Sequence, residues 1–144
     1  MTTQRARNDL NGCRVLICED EAILVMQLRK IVTHAGCQVV GEATSGEDAI
    51  LLANELEPDL VLMDLTLLGD QNGIAAARSI LSRRRVPILM LTGINDPEVI
   101  DAAEKAGVAG FFVKPVFASQ LIEAIQTVLD RFHTMPDETH TSEA

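Results

Sequence analysis

The stretch Asp59-Leu60-Val61-Leu62-Met63-Asp64 decides the fold of this chain, because it is a short apolar run that stops abruptly on a carboxylate. Pro58 precedes it, and a loop with the turn pair Asn72-Gly73 follows. A continuous apolar run between turn signals is typical of a strand buried on both faces of a parallel sheet. We therefore expect Asp64 at the carboxyl end of that strand, where open α/β sheets carry their chemistry. Taken alone, this carboxylate serves equally well as a cap for the next element.

Apolar runs and helical patterns alternate along the chain. Strands are predicted at residues 13–18, 37–40, 59–64, 86–91 and 109–113. Apolar residues recur at helical spacing within residues 21–36, 45–57, 74–84, 97–106 and 121–132, with Ser45 and Asp96 as N-caps. Five strands alternating with five helices favour right-handed crossovers, and hence an α/β fold with a parallel sheet between two helix layers.

The length of 144 residues suits one domain with a single core. We expect a flexible N-terminal segment at residues 1–12, a folded domain at 13–132 and a disordered tail at 133–144, because both ends are polar and lack apolar periodicity.

Composition and charge exclude several classes of function. A net charge of -9 argues against a nucleic-acid surface, since phosphate contacts need clustered cations, and there is no Trp or Tyr to stack on bases. The cysteines Cys13, Cys18 and Cys37 lack metal-ligand spacing, and no signal peptide precedes them, so we expect structural thiols in a cytoplasmic protein. No apolar run is long enough to span a membrane, so no membrane insertion is expected.

Polar side chains that suit phosphoryl chemistry follow four of the predicted strands. Glu19 and Asp20 follow the first strand, Asp64 ends the third, Thr92 follows the fourth and Lys114 follows the fifth. Parallel strands place their carboxyl ends at one edge of the sheet, so we expect these residues to converge. Each is ordinary when taken alone, as a cap, a turn or a solvated end. Their joint placement in a complete βα alternation favours a functional site.

Three converging carboxylates repel one another, so the predicted cluster needs a cation. Few, hard oxygen ligands with room for water and a phosphate suit Mg²⁺ better than a calcium cage, and no His or Cys offers a zinc alternative. Lys114 supplies a further positive charge where transferred phosphoryl oxygens would lie. Asp64 is then placed as a nucleophile that takes a phosphoryl group as an acyl phosphate.

These residues resemble the receiver domain of two-component response regulators, of the stand-alone, single-domain type. The resemblance covers about residues 13–132 and rests on Glu19-Asp20, Asp64, Thr92-Gly93 and Lys114-Pro115, each after its strand. It implies a flavodoxin-like (βα)5 fold, a doubly wound five-stranded parallel sheet with strand order 2-1-3-4-5. It also implies that Asp64 is the phospho-acceptor, with a phosphohistidine on a histidine kinase or histidine phosphotransferase as the donor.

The resemblance assigns further roles around the acceptor. Asp20 and Asp64 match direct Mg²⁺ ligands, together with the backbone carbonyl of Thr66, and Glu19 matches an acid that holds the metal through water. Lys114 matches the lysine that pairs with the phosphoryl group, and it would act with Asp64 and Thr92 in catalysis.

Two switch residues are implied as well. Thr92 matches the hydroxyl that moves onto the phosphoryl group, and Phe111 matches an aromatic switch. The loop from Asp64 to Gly73 is one residue longer than the common receiver pattern and lacks its Pro, which typifies a subgroup where the aromatic switch is less dependable. Phe111 therefore has an equal alternative as a packed core aromatic.

Four outputs or functions stay open from the sequence. The phosphoryl group could pass to a second histidine protein in a phosphorelay, or the phosphorylated form could bind an unknown downstream protein. A phosphate-independent binding module is the alternative if the acidic site is silent. A small aspartyl-nucleophile phosphohydrolase fits less well, because Thr66 stands where such enzymes carry a second acid and the chain has no room for a cap domain. The protein is thus expected to be a signalling protein rather than an enzyme acting on other substrates.

Overall fold

A computed structural model describes residues 10–67, 72–93 and 95–134. Its five strands are β1 (Arg14–Cys18), β2 (Gln38–Ala43), β3 (Leu60–Asp64), β4 (Ile88–Thr92) and β5 (Gly110–Val113). The helices are α1 (Ala22–His34), α2 (Gly46–Leu56), α3 (Gly73–Leu81), α4 (Pro97–Ala106) and α5 (Ala118–Thr134). Within the described residues, no helix combines the length and apolar character needed to cross a bilayer.

The strands form one parallel sheet in the order β2-β1-β3-β4-β5. This confirms the predicted flavodoxin-like α/β fold. The central position of β3 explains its unbroken apolar run, because every residue from Leu60 to Asp64 is buried. Leu60 and Leu62 face the core shared with α1 and α5, whereas Val61 and Met63 face the core that contains residues of α2, α3 and α4.

The helices start at the capping residues that the sequence indicated. The Ser45 hydroxyl accepts a hydrogen bond from the backbone N–H of Asp48 at 3.1 Å, ahead of α2. The Asp96 carboxylate accepts one from Glu98 N–H at 2.9 Å, and the first residue of α4 is a proline. Asn72, which we interpreted as part of a turn, is itself an N-cap for α3.

Several predicted boundaries differ from the structure: the strand predicted at 86–91, for example, is observed at Ile88–Thr92. Residues 10–12, predicted to be flexible, are held in place: Leu10 is only 4% exposed, and Gly12 N–H donates to the carbonyl of Gly36 at 2.8 Å. The strand predicted at 37–40 continues to Ala43 because β1 pairs with it along that length. The last helix continues to Thr134, past the predicted boundary at 132, since the next helix-breaking residue in the sequence is Pro136. Residues 1–9 and 135–144 lie outside the described residues.

Candidate functional site

The carboxyl edge of the sheet brings three carboxylates together. Glu19 and Asp20 follow β1, Asp64 ends β3, and one carboxylate oxygen from each lies within 4.8 Å of the others. Glu19 is 1% exposed and Asp64 is 2% exposed, while Asp20 is only partly buried. The cluster is therefore a concentrated negative charge with one side open to solvent.

Lys114 crosses from the end of β5 to this cluster. Its ammonium nitrogen lies 3.1 Å from Asp64 Oδ1 and 3.5 Å from Glu19 Oε1. Its backbone N–H donates to the carbonyl of Thr92 at 2.8 Å, which ties the ends of β4 and β5 together. Burial alone would lower the pKa of Lys114, but the hydrogen bond to Asp64 and the charges of Asp64 and Glu19 outweigh it and raise that pKa. Lys114 is thus a protonated cation beside Asp64 Oδ1.

Glu19 is a buried carboxylate of the cluster, and its pKa is raised. Burial, followed by the nearby charge of Asp64, raises the pKa of Glu19 to about 7, although a hydrogen bond from Glu21 N–H and the charge of Lys114 oppose the rise. That backbone bond reaches Oε2 at 3.1 Å. Oε1 is buried and, apart from its longer ion-pair contact with Lys114, has no hydrogen-bond partner among the residues that the structure describes. One buried oxygen of the cluster is therefore left for a further cation or donor.

Thr66 contacts the side chain of Asp64, and Gly73 lies against its backbone. The Thr66 hydroxyl donates to Asp64 Oδ2 at 3.4 Å. Behind the strand, a Cβ built at Gly73 would lie 2.9 Å from Cα of Leu65 and closer still to the carbonyl oxygen of Asp64. Gly73 N–H also donates to the carbonyl of Leu65 at 2.8 Å. Sequence reasoning missed this positioning role of Gly73, for which the only signal was the Asn-Gly pair after the loop.

The predicted switch residues occupy different environments. Thr92 is 1% exposed at the end of β4 and lies opposite Val113 in register. Phe111 is partly buried, lies opposite Met90 and packs against the core on the α2, α3 and α4 side. That packing accounts for its apolar character, and its switching role stays a prediction.

The donor set of the cluster fits Mg²⁺. Its three members offer carboxylate oxygens. Glu19 Oε1 is buried and accepts no hydrogen bond from the described residues, so a cation could bind this oxygen. Hard oxygen ligands with one side open to water are what Mg²⁺ requires. The Lys114 ammonium beside Asp64 Oδ1 is a positive charge that could offset the charge of a phosphoryl group at this edge.

Residues 15–126 match the response regulator receiver domain family. The chain is 39% identical over 118 residues to the chemotaxis protein CheY of Thermotoga maritima, a match that spans 81% of this chain and 98% of that protein. It is 41% identical over 119 residues to the transcriptional regulatory protein PdtaR of Mycobacterium tuberculosis, where 83% of this chain spans only 58% of the relative. The signal receiver domain of a modulated diguanylate cyclase from Desulfovibrio desulfuricans G20 superposes with a TM-score of 0.78 at 29% identity, covering 85% of this chain and 98% of that one.

The fold and the acidic edge therefore define a two-component signalling protein. The chain belongs to the response regulator receiver family.

Proposed function

We propose that this protein accepts a phosphoryl group on Asp64 from a phosphohistidine of a histidine kinase or histidine phosphotransferase, in a reaction that depends on Mg²⁺. The observation that carries the proposal is the Asp64 carboxylate, 2% exposed, with the Lys114 ammonium 3.1 Å from Oδ1 and two further carboxylates beside it. A structural salt bridge would need one acid for one lysine. The surplus acids favour a site made for a metal and a phosphoryl group.

Glu19, Asp20 and Asp64, with the backbone carbonyl of Thr66, would hold the Mg²⁺. A bound Mg²⁺ would supply positive charge that offsets the carboxylates and polarises the phosphoryl oxygens. A carboxylate oxygen of Asp64 forms a bond to phosphorus, while the bond from phosphorus to the donor nitrogen breaks and leaves its electron pair on that nitrogen. Lys114 then faces the negative phosphoryl oxygens and offsets their charge.

We propose that the signal leaves the site through Thr92. Phosphorylation adds about two negative charges and three acceptor oxygens at Asp64. The hydroxyl of Thr92, on the neighbouring strand, would turn toward these oxygens and bias the segment that leads into α4 toward a second arrangement. The side chain of Phe111 on β5 would then move into the space that the Thr92 side chain leaves.

Exposed apolar side chains at the acidic edge support docking of a protein donor. Ile23 and Met26 on α1 are 76% and 64% exposed, and Phe117, just before α5, is 57% exposed. The side-chain amide of Gln27 donates to the carbonyl of Val116 at 2.9 Å, so this part of α1 lies beside the segment that carries Phe117. A donor must approach this edge to reach the buried Asp64, and it would cover these side chains.

The central experiment is intact-mass measurement after incubation with acetyl phosphate, with and without Mg²⁺, beside Asp64→Asn. We expect one phosphoryl adduct that requires Mg²⁺ and is absent from the variant, because the amide cannot attack phosphorus. An adduct of equal yield in Asp64→Asn would refute the assignment. With a purified phosphorylated histidine phosphotransferase as donor, return of phosphate to a second histidine protein would indicate a relay, and phosphorylation-dependent capture of a target would indicate direct output.

We further propose that this exchange takes place in the cytoplasm. All three cysteines are unpaired in the structure, as expected in a reducing compartment.

A further inference from the structure

Two cysteines lie side by side at the edge of the sheet opposite the acidic cluster. Cys13 and Cys37 directly precede the first register pair of β1 and β2, Arg14 and Gln38. Gln38 N–H donates to the carbonyl of Cys13 at 2.8 Å, which fixes the two backbones against each other. Neighbouring strands lie about 4.8 Å apart, within the Cα separations that a disulfide spans.

Both side chains point to the same face of the sheet, where Cys37 belongs to the core beneath α1 and α5 and Cys13 packs against it. Hydrogen bonding to Cys37, with burial, raises the pKa of Cys13, while hydrogen bonding from Cys13 lowers the pKa of Cys37. The two thiols are therefore neighbours that shift each other's pKa.

A small molecule can reach this pair. Cys13 is partly exposed and lines a cavity of about 350 Å³ together with Asp59, Arg85, Pro87 and Phe132. Cys37 is 6% exposed and is not among the residues that line this cavity. The third cysteine, Cys18, is less accessible: it is 0% exposed, and burial raises its pKa.

We propose that Cys13 and Cys37 form a reversible dithiol–disulfide pair that hydrogen peroxide oxidises. One thiolate attacks a peroxide oxygen, the O–O bond breaks, and the sulfur becomes a sulfenic acid as the first water leaves. The second sulfur then displaces the hydroxyl group from that sulfenic acid, which forms the S–S bond and releases a second water. The two thiols together lose two electrons and two protons, and hydrogen peroxide is reduced to two waters. The pair is remote from Asp64, so this inference does not depend on the proposed phosphotransfer.

Hydrogen peroxide treatment of the full chain, followed by intact mass and non-reducing tryptic mapping, tests the proposal. Cleavage after arginine and lysine places the three cysteines in separate peptides, at residues 8–14, 15–29 and 31–78. We expect loss of two hydrogens, a linked peptide joining 8–14 to 31–78, and full reversal by dithiothreitol. The mapping needs no variant, so it remains decisive even where a cysteine substitution impairs folding.

Matched variants sharpen the assignment. Cys18→Ala should oxidise as the unmodified chain does, whereas Cys13→Ser and Cys37→Ser should each lose the internal link. The link closes the segment between the two strands, so the oxidised protein should unfold at a temperature higher by about 10 °C. Phosphorylation by acetyl phosphate should be unchanged in the oxidised protein if Asp64 is the acceptor.

Three results would overturn the proposal. They are a disulfide between two chains, a link that includes Cys18, and oxygen addition to single cysteines without any loss of two hydrogens.

Discussion

Replacement of Glu19 by Gln should stabilise the metal-free protein, and the gain should depend on pH. Burial and the charge of Asp64 raise the pKa of Glu19 from 4.5 to about 7. Each pKa unit corresponds to about 1.4 kcal/mol, so the charged Glu19 side chain lowers the free energy of unfolding by roughly 3 kcal/mol at pH 8. The substituted glutamine would keep the shape of the side chain and remove the charge.

The sign follows from proton binding. Below about pH 4.5, Glu19 is protonated in both the folded and the unfolded chain, so this group has no effect on stability. Between pH 4.5 and about pH 7, the unfolded chain releases the proton while the folded chain retains it. The metal-free protein should therefore lose stability as the pH rises through this window, with the full loss present above it.

Urea unfolding in EDTA at pH 4.5, 6 and 8 (about the limits and middle of this window) measures the difference in the free energy of unfolding between Glu19→Gln and the unsubstituted protein. Glu55→Gln, an exposed position on α2, is the matched control and should show no such pH dependence. Addition of Mg²⁺ at pH 8 should stabilise the unsubstituted protein more than Glu19→Gln, because the variant retains fewer anionic ligands. A Glu19→Gln protein that is less stable than the parent at pH 8, or a difference that is the same at every pH, would refute the reasoning.

Two further substitutions test the positioning of the acceptor and the docking edge. Gly73→Ala should lower the free energy of unfolding by about 2–3 kcal/mol and slow phosphorylation by acetyl phosphate, since the added Cβ would overlap the backbone of Asp64; parental values in both urea unfolding and the mass assay would contradict this. Ile23→Asp should slow transfer from a phosphohistidine protein by about tenfold or more, yet leave reaction with acetyl phosphate unchanged, because only the protein donor covers α1. Leu51→Asp on α2, 52% exposed, is its control, and equal slowing in both variants would argue against a docking role for Ile23.

The order of elements could be predicted because each carries its own local signal. The run from Leu60 to Met63 indicated a doubly buried strand, and the capping side chains of Ser45 and Asp96 marked the starts of α2 and α4. Boundaries that depend on distant partners were wrong. The polar sequence before Cys13 concealed the burial of Leu10, and the extension of β2 to Ala43 depends on its pairing with β1.

The sequence by itself determined that charged groups end the strands, since strand periodicity places Asp64 at its carboxyl end and parallel strands share one edge. Only the tertiary structure decided how these groups interact. The 3.1 Å contact between Lys114 and Asp64 and the approach of Gly73 to the backbone of Asp64 both join residues that are separated along the chain. The burial of Glu19 Oε1, which has no hydrogen bond within the described part of the chain, likewise depends on the surrounding elements. Hydrophobic periodicity is a local property that one strand or helix displays alone. Burial, and the pKa shifts that follow from it, arise only when several elements pack together and exclude water from between them.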